Sequence, residues 1–227
     1  MGRIKLLAKV IVFVAILIFI WNLLCYTLVD DTKAFSRLTL HDFSENEGKI
    51  EVLFVGPSTS MMGIDTEIAD ECFGENTFNV STTSQTLDGT YYLCKEAIEK
   101  NPNLKQIYLN VSPGILLRNV GEVMPTAIIT DYLSSNMRRL EYVWGSVEPE
   151  YRGNVLFPLI RDREDIFTRN PVEIIKGKDK AYRNYEPFSH RGLEYKEKGF
   201  VTGVRTPENQ GGHVYRTEGI EEFREEN

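Results

Sequence analysis

The chain is poor in the residues that build disulfide scaffolds, zinc sites and general-base catalysis. Its 227 residues hold three cysteines, three histidines and two tryptophans. So few cysteines exclude a disulfide-stapled fold, and no cysteine–histidine spacing resembles a zinc site. No metal and no cofactor is expected. Cationic excess is absent too, since Lys and Arg number 26 against 33 Asp and Glu, a net charge of -7. Affinity for nucleic acid comes from clustered Lys and Arg, so a nucleic-acid partner is excluded. There are no internal repeats, and the 42% hydrophobic content is that of an ordinary globular chain.

One further absence is local. No charged side chain lies between Lys9 and Asp30, and residues 10–29 are almost wholly aliphatic or aromatic. About 20 such residues are enough for a helix to cross the hydrocarbon layer. Arg3, Lys5 and Lys9 precede the run and Asp30 and Asp31 follow it. The positive-inside rule then keeps residues 1–9 in the cytoplasm and sends the remainder outside. A cleaved signal peptide is the rival reading, but the apolar core is longer than the usual ~7–15 residues and no small-x-small site follows. The expectation is a single-pass signal anchor in the cell membrane. Cys25 lies within it, and Cys72 and Cys94 are expected as buried free thiols, although the compartment would permit them to pair.

Residues 30–48 read as a polar membrane-proximal stalk. Beyond them Ile50-Glu51-Val52-Leu53-Phe54-Val55, stopped by Gly56-Pro57, has the near-continuous apolar character of a strand buried on both faces. Thr77-Phe78-Asn79-Val80 and Lys105 to Val111 predict two more strands. Between them Leu87, Tyr91, Cys94 and Ile98 recur at helical spacing, with Asp88 in the first turn and Lys95 and Lys100 near the end, as the helix dipole favours. Strand, helix, strand, helix, strand predicts an α/β domain with a parallel sheet over 49–160. Ala127 to Trp144 has helical spacing, and 161–227 is charged and irregular with no convincing strand.

Ligands of open parallel sheets bind at the carboxyl ends of the strands. Three such ends are visible: Gly56-Pro57-Ser58, Val80-Ser81-Thr82 and Asn110-Val111-Ser112. A serine displayed after a buried strand, with backbone N–H groups nearby to hold an oxyanion, fits acyl-ester chemistry. Turn formation and capping account for the same residue types without any chemistry. Asn79-Val80-Ser81 and Asn110-Val111-Ser112 also match glycosylation acceptors, read as chance matches. Arg161-Asp162-Arg163-Glu164-Asp165 reads as a solvated charged face rather than a metal site.

Val52-Leu53-Phe54-Val55-Gly56-Pro57-Ser58, with Gly63-Ile64-Asp65 after it, resembles the first block of SGNH/GDSL-type hydrolases, closest to membrane-anchored members that work beside cell-envelope polysaccharide or teichoic-acid acylation machinery. Phe78 to Gln85 with Asp88-Gly89-Thr90-Tyr91-Tyr92 resembles the second block, and Tyr108-Leu109-Asn110-Val111-Ser112 falls where the third ends its strand. The resemblance implies a doubly wound parallel sheet of flavodoxin-like order, with Ser58 as nucleophile. It also implies Ser81 and Asn110 as oxyanion or substrate contacts, and a glycopolymer or membrane acyltransferase as partner. Pro57 replaces the usual Asp or Ser. The family's Asp-x-x-His base is absent, and His41, His190 and His213 read as ordinary stalk or surface residues. Three strands where a doubly wound sheet usually has about five lead to the expectation of the amino-terminal part of a longer enzyme, or a decayed copy acting as a tethered scaffold.

Overall fold

The computed structural model of the chain describes residues 2–111, 115 and 123–203. Helix α1, Gly2–Leu28, opens it. Its 25-residue stretch Ile4–Leu28 is long and apolar enough to cross a membrane, and residues 4–24 are exposed throughout. Leu, Ile, Val and Phe surround it on every side, the composition of a helix whose solvent is hydrocarbon.

The sheet follows from one strand. In β1 (Val52–Val55) all four side chains are buried, and the strand pairs in parallel with β2 (Thr77–Asn79) and β3 (Gln106–Leu109), giving the order β2-β1-β3. Leu53 is in register with Phe78 on one side and Ile107 on the other. Alternation then sorts the side chains. Leu53 and Val55 enter the main core with Phe78, Leu93, Ile129 and Tyr142, while Val52 and Phe54 turn to the opposite face against Ala69. The two faces are covered by α5 (Leu87–Lys100) and α4 (Thr66–Phe73), respectively. The chain is therefore a mixed α/β protein with a three-stranded parallel sheet.

Helix α5 begins and ends where its caps place it. Thr86 accepts a hydrogen bond from the Gly89 N–H at 3.2 Å, and Lys100 sits in the last turn. Its buried face differs from the expected one. Leu87, Tyr91 and Ile98 are exposed, Cys94 is half-buried, and Leu93 and Ala97 form the core contact. The cause is Gly89, where a Cβ would stand 2.5 Å from Ile129 Cδ1. Close approach of the backbone there turns the small-residue side, Gly89-Leu93-Ala97, inward.

Four further expectations give way. Residues 30–48 are no stalk, because they contain helix α2 (Phe35–Glu45), whose Leu40 and Phe43 enter the main core and whose Phe35 and Leu38 pack with Met61, Tyr195 and Val201. A helix buried on two sides places polar residues between its contacts and so reads as hydrophilic. Beyond the short α3 (Ser58–Gly63), the expected helix 127–144 is split into α6 (Val123–Tyr132) and α7 (Asn136–Ser146). The break at Ser134 is held by its N–H donating to the buried Glu96 carboxylate at 3.0 Å. After α8 (Arg152–Leu156) and α9 (Pro158–Arg161), the region expected to be irregular holds α10 (Pro171–Asn184) and a small antiparallel sheet. Its strands are β4 (Ser189–His190), β5 (Leu193–Tyr195) and β6 (Val201–Gly203). Cys72 is exposed rather than buried; it and Cys94 are both free.

The β5–β6 turn docks on the parallel sheet. The Asn79 N–H donates to the Lys198 carbonyl at 2.9 Å, and Gly199, at φ +83°, leaves so little room that a Cβ would stand 1.8 Å from the Asn79 carbonyl oxygen. Gly199→Ala is expected to lower stability by about 1–3 kcal/mol from backbone strain alone, and to make the turn an early site of proteolysis. An unchanged thermal midpoint would show that this turn does not hold the sheet edge.

Candidate functional site at the carboxyl ends of the parallel strands

Three loops leave the sheet at the same end and are knitted there by backbone. The Thr82 N–H donates to the Gly56 carbonyl at 3.3 Å, and the Asn110 N–H to that of Val55 at 2.9 Å. Gly56 is required by the approach of its neighbour, since a Cβ there would lie 2.7 Å from the Asn110 Cβ. Pro57 caps α3 in extended conformation, and Ser58 is the first residue of the helix. Ser58 is half-buried and Thr59 exposed, with Ser60 turned inward at 1% exposure.

The three predicted residues thus share one end of the sheet but play unequal parts. The Asn110 amide donates to Thr59 Oγ1 at 3.3 Å, so its side chain serves the hydroxyl next to Ser58. Ser81 is wholly buried and its hydroxyl has no hydrogen-bond partner among the described residues. Beside it the Asn79 amide donates to the Ser60 carbonyl at 2.9 Å. Asn79 is fully buried, which excludes a glycan there. Gln85 Oε1 accepts from the Thr82 N–H at 2.9 Å, and its amide donates to Thr90 at 2.9 Å. This polar layer under the loops fixes their backbones. It leaves Ser58 as the accessible hydroxyl of the first loop with Thr59.

Among the described residues no hydrogen bond joins Ser58 to a histidine. His41 lies flat on Tyr185, ring centroids 3.5 Å apart, and His190 is in β4. His213, Ser112 and the end of the third block lie outside the described residues. A cavity of about 540 Å³ has Asp65, Glu67, Tyr195, Lys196 and Glu197 among its walls; Ser58 is not one of them. No group of three potential metal ligands occurs among the described residues. The charged run after Arg161 forms an ion-pair network instead, with Arg161 on Asp131 and Arg169 on both Asp162 and Asp165. Arg138 is engaged by Glu99 and Glu96.

Sequence reasoning missed the junction between α1 and the domain. Lys178, 4% exposed, donates to the Cys25 carbonyl at 3.2 Å, and burial lowers its ammonium below the ordinary lysine value. The Asp31 carboxylate accepts from the hydroxyls of Tyr132 and Tyr182. Trp21 meets Phe157 edge-on at 5.6 Å. These partners are far apart in the chain, and no local pattern announces them. Compared with known proteins, the chain matches no family model, no curated protein and no solved structure.

At the amino end of β2, Asp70 ties α4 to that strand and to the small sheet. It accepts from the Thr77 N–H at 2.7 Å and from Thr77 Oγ1 at 2.6 Å, and pairs with Lys198. Burial works against its charge, but the bonds from Lys198 and Thr77 outweigh it and hold the carboxyl below the ordinary 3.8. A depressed folded value stabilises the protein above the unfolded pKa, and that contribution is lost as pH falls through the folded one. Asp70→Asn is therefore expected to flatten the acid limb of the stability curve below the ordinary carboxyl value. Parallel acid-unfolding curves for the two proteins would sink this assignment.

Proposed function

We propose that the chain is a membrane-anchored, extracytoplasmic SGNH-like protein that acts in acyl-ester chemistry on a cell-surface polysaccharide or teichoic acid. The observation that carries this reading is the convergence of three strand-end loops on Gly56-Pro57-Ser58, the arrangement that the sequence resemblance implies. In it the Ser58 hydroxyl attacks the acyl carbonyl, the ester bond to the leaving oxygen breaks and that oxygen takes the hydroxyl proton, leaving an acyl-serine and a free alcohol. Water or a sugar hydroxyl then takes the acyl group and returns the proton to Ser58. A serine hydroxyl needs an adjacent base, and no histidine bonds to Ser58 among the described residues. A second reading, a non-catalytic tethered component of the same envelope machinery, is favoured by that observation.

A fluorophosphonate probe separates the two readings. Native protein in its own membranes is expected to be labelled, and Ser58→Ala to lose the label at unchanged protein level. Absence of labelling in the native protein would leave the tethered-component reading. Removing the nucleophile from a serine site typically leaves only a small residue of catalysis, so acyl transfer in cells is expected to fall with the label.

Orientation has its own test, because the three basic side chains ahead of the apolar run of residues 10–29, Arg3, Lys5 and Lys9, support a cytoplasmic amino end. Cys72 is exposed, whereas Cys94 is half-buried and burial pushes its thiol up to about 11. A membrane-impermeant maleimide is expected to label Cys72 in intact cells, with Cys94 much slower. Labelling only after lysis would reverse the orientation.

A further inference from the structure

The geometry points to a phosphate-class anion site on the face of the domain beside the end of α1, centred on Arg37 with Lys33 and Lys180. This inference goes beyond the Ser58 reading and does not rest on it.

Arg37 is 1% exposed. Its guanidinium lies 5.2 Å from the ring of Tyr182 and 4.9 Å from that of Tyr185. One terminal nitrogen donates to the Ala181 carbonyl at 3.2 Å, and Nε has no hydrogen-bond partner among the described residues. The arginine makes no ion pair among the described residues. The Asp31 carboxylate, which shares Tyr182 with it, is taken by the Tyr132 and Tyr182 hydroxyls. A buried cation without an anion is an unfavourable arrangement that an incoming anion relieves.

Arg37 forms part of the wall of a cavity of about 240 Å³. Lys33, Lys180 and the hydroxyl residues Thr32 and Ser189 share that wall, and Glu186 is its one carboxylate. Neither lysine forms an ion pair among the described residues, and both are exposed. Glu186 accepts from the Asn184 amide at 3.2 Å. Three cations against one carboxylate leave the cavity positive within an acidic chain. The Thr32 hydroxyl is engaged by the Asp30 carboxylate at 2.7 Å; the planar guanidinium, the two ammonium groups and the Ser189 hydroxyl are the set that recognises a tetrahedral oxyanion. Thr32 and Lys33 follow closely on Leu28, the last residue of α1. Where α1 crosses a bilayer this face stands at the height of the lipid headgroups, and free phosphate in the surrounding medium reaches the same cavity.

The test uses the full chain purified in a neutral maltoside detergent. Inorganic phosphate and a short-chain phosphatidylglycerol are titrated separately by calorimetry, beside the double variant Lys33→Glu/Lys180→Glu. Both lysines are exposed, so the variant should keep the native thermal midpoint without ligand. The expected result is saturable binding that the variant weakens at least about tenfold, the equivalent of about 1.4 kcal/mol. Tighter binding of the lipid than of inorganic phosphate assigns the headgroup as ligand, and equal binding assigns free phosphate. Binding that the variant leaves unchanged, or no binding of either probe, overturns the site.

Discussion

Everything else hangs on a four-residue strand that hydrogen bonds on both edges and is buried on both faces. Val52–Val55 has no polar side chain to satisfy, and its backbone groups are met by β2 and β3. Unmet, those N–H and C=O groups would each cost a lost hydrogen bond in an apolar interior. The two flanking strands are therefore obligatory, and their parallel direction requires crossover connections. That is why α3, α4 and α5 lie where they do. It is also why the loops holding Ser58, Ser81 and Asn110 leave from one end. β1 thus explains the site's position before any chemistry is considered.

The same strand shows how much the sequence disclosed. A run as apolar as 50–55 can only be a buried strand or a buried helix, and the Gly-Pro after it decides for the strand. The termini of α5 were legible from Thr86, Asp88 and Lys100. Its buried face was not, because hydrophobic spacing weights Leu87, Tyr91 and Ile98 and gives no weight to Gly89 or Ala97. What turned the helix was backbone approach, a property of the partner Ile129 as much as of Gly89. Helix α2 was hidden for a related reason. Its Ser36, Arg37 and Thr39 are as buried as its Leu38, so polarity and exposure are uncoupled there. The strands β4 to β6 are two or three residues long, too short to show alternation.

For the site itself, sequence placed Ser58, Ser81 and Asn110 at one end of the sheet because strand ends can be read from local pattern. It could not tell which hydroxyls face outward. Ser60 and Ser81 differ from Ser58 in burial, not in type; at Ser60 the Asn79 amide holds the carbonyl, and the β5–β6 turn in turn holds the Asn79 N–H. The turn comes from the far side of the sequence. Its contact through Gly199 is also where the small sheet and the parallel sheet become one body, so the carboxyl-end loops are supported by residues outside the three resemblance blocks.

The junction with α1 gives this body a fixed seat. A lone apolar helix followed by a flexible stalk would let a domain rotate freely about its tether. Here α2 starts seven residues after Leu28 ends α1, and α1 packs against both α9 and α10. Lys178 and Asp31 lie in this contact, where a lower effective dielectric makes each hydrogen bond stronger and each unpaired group more costly. Separating the domain from the helix would return Lys178 to water but would part it from the Cys25 carbonyl, break the Trp21–Phe157 pair and disturb the Asp31 carboxylate that two tyrosine hydroxyls share. The costs add in one direction, so the seat is held as a unit. Under the anchor reading, the strand-end loops and the Arg37 cavity then stand at set heights above the bilayer, with no stalk to change the distance between them.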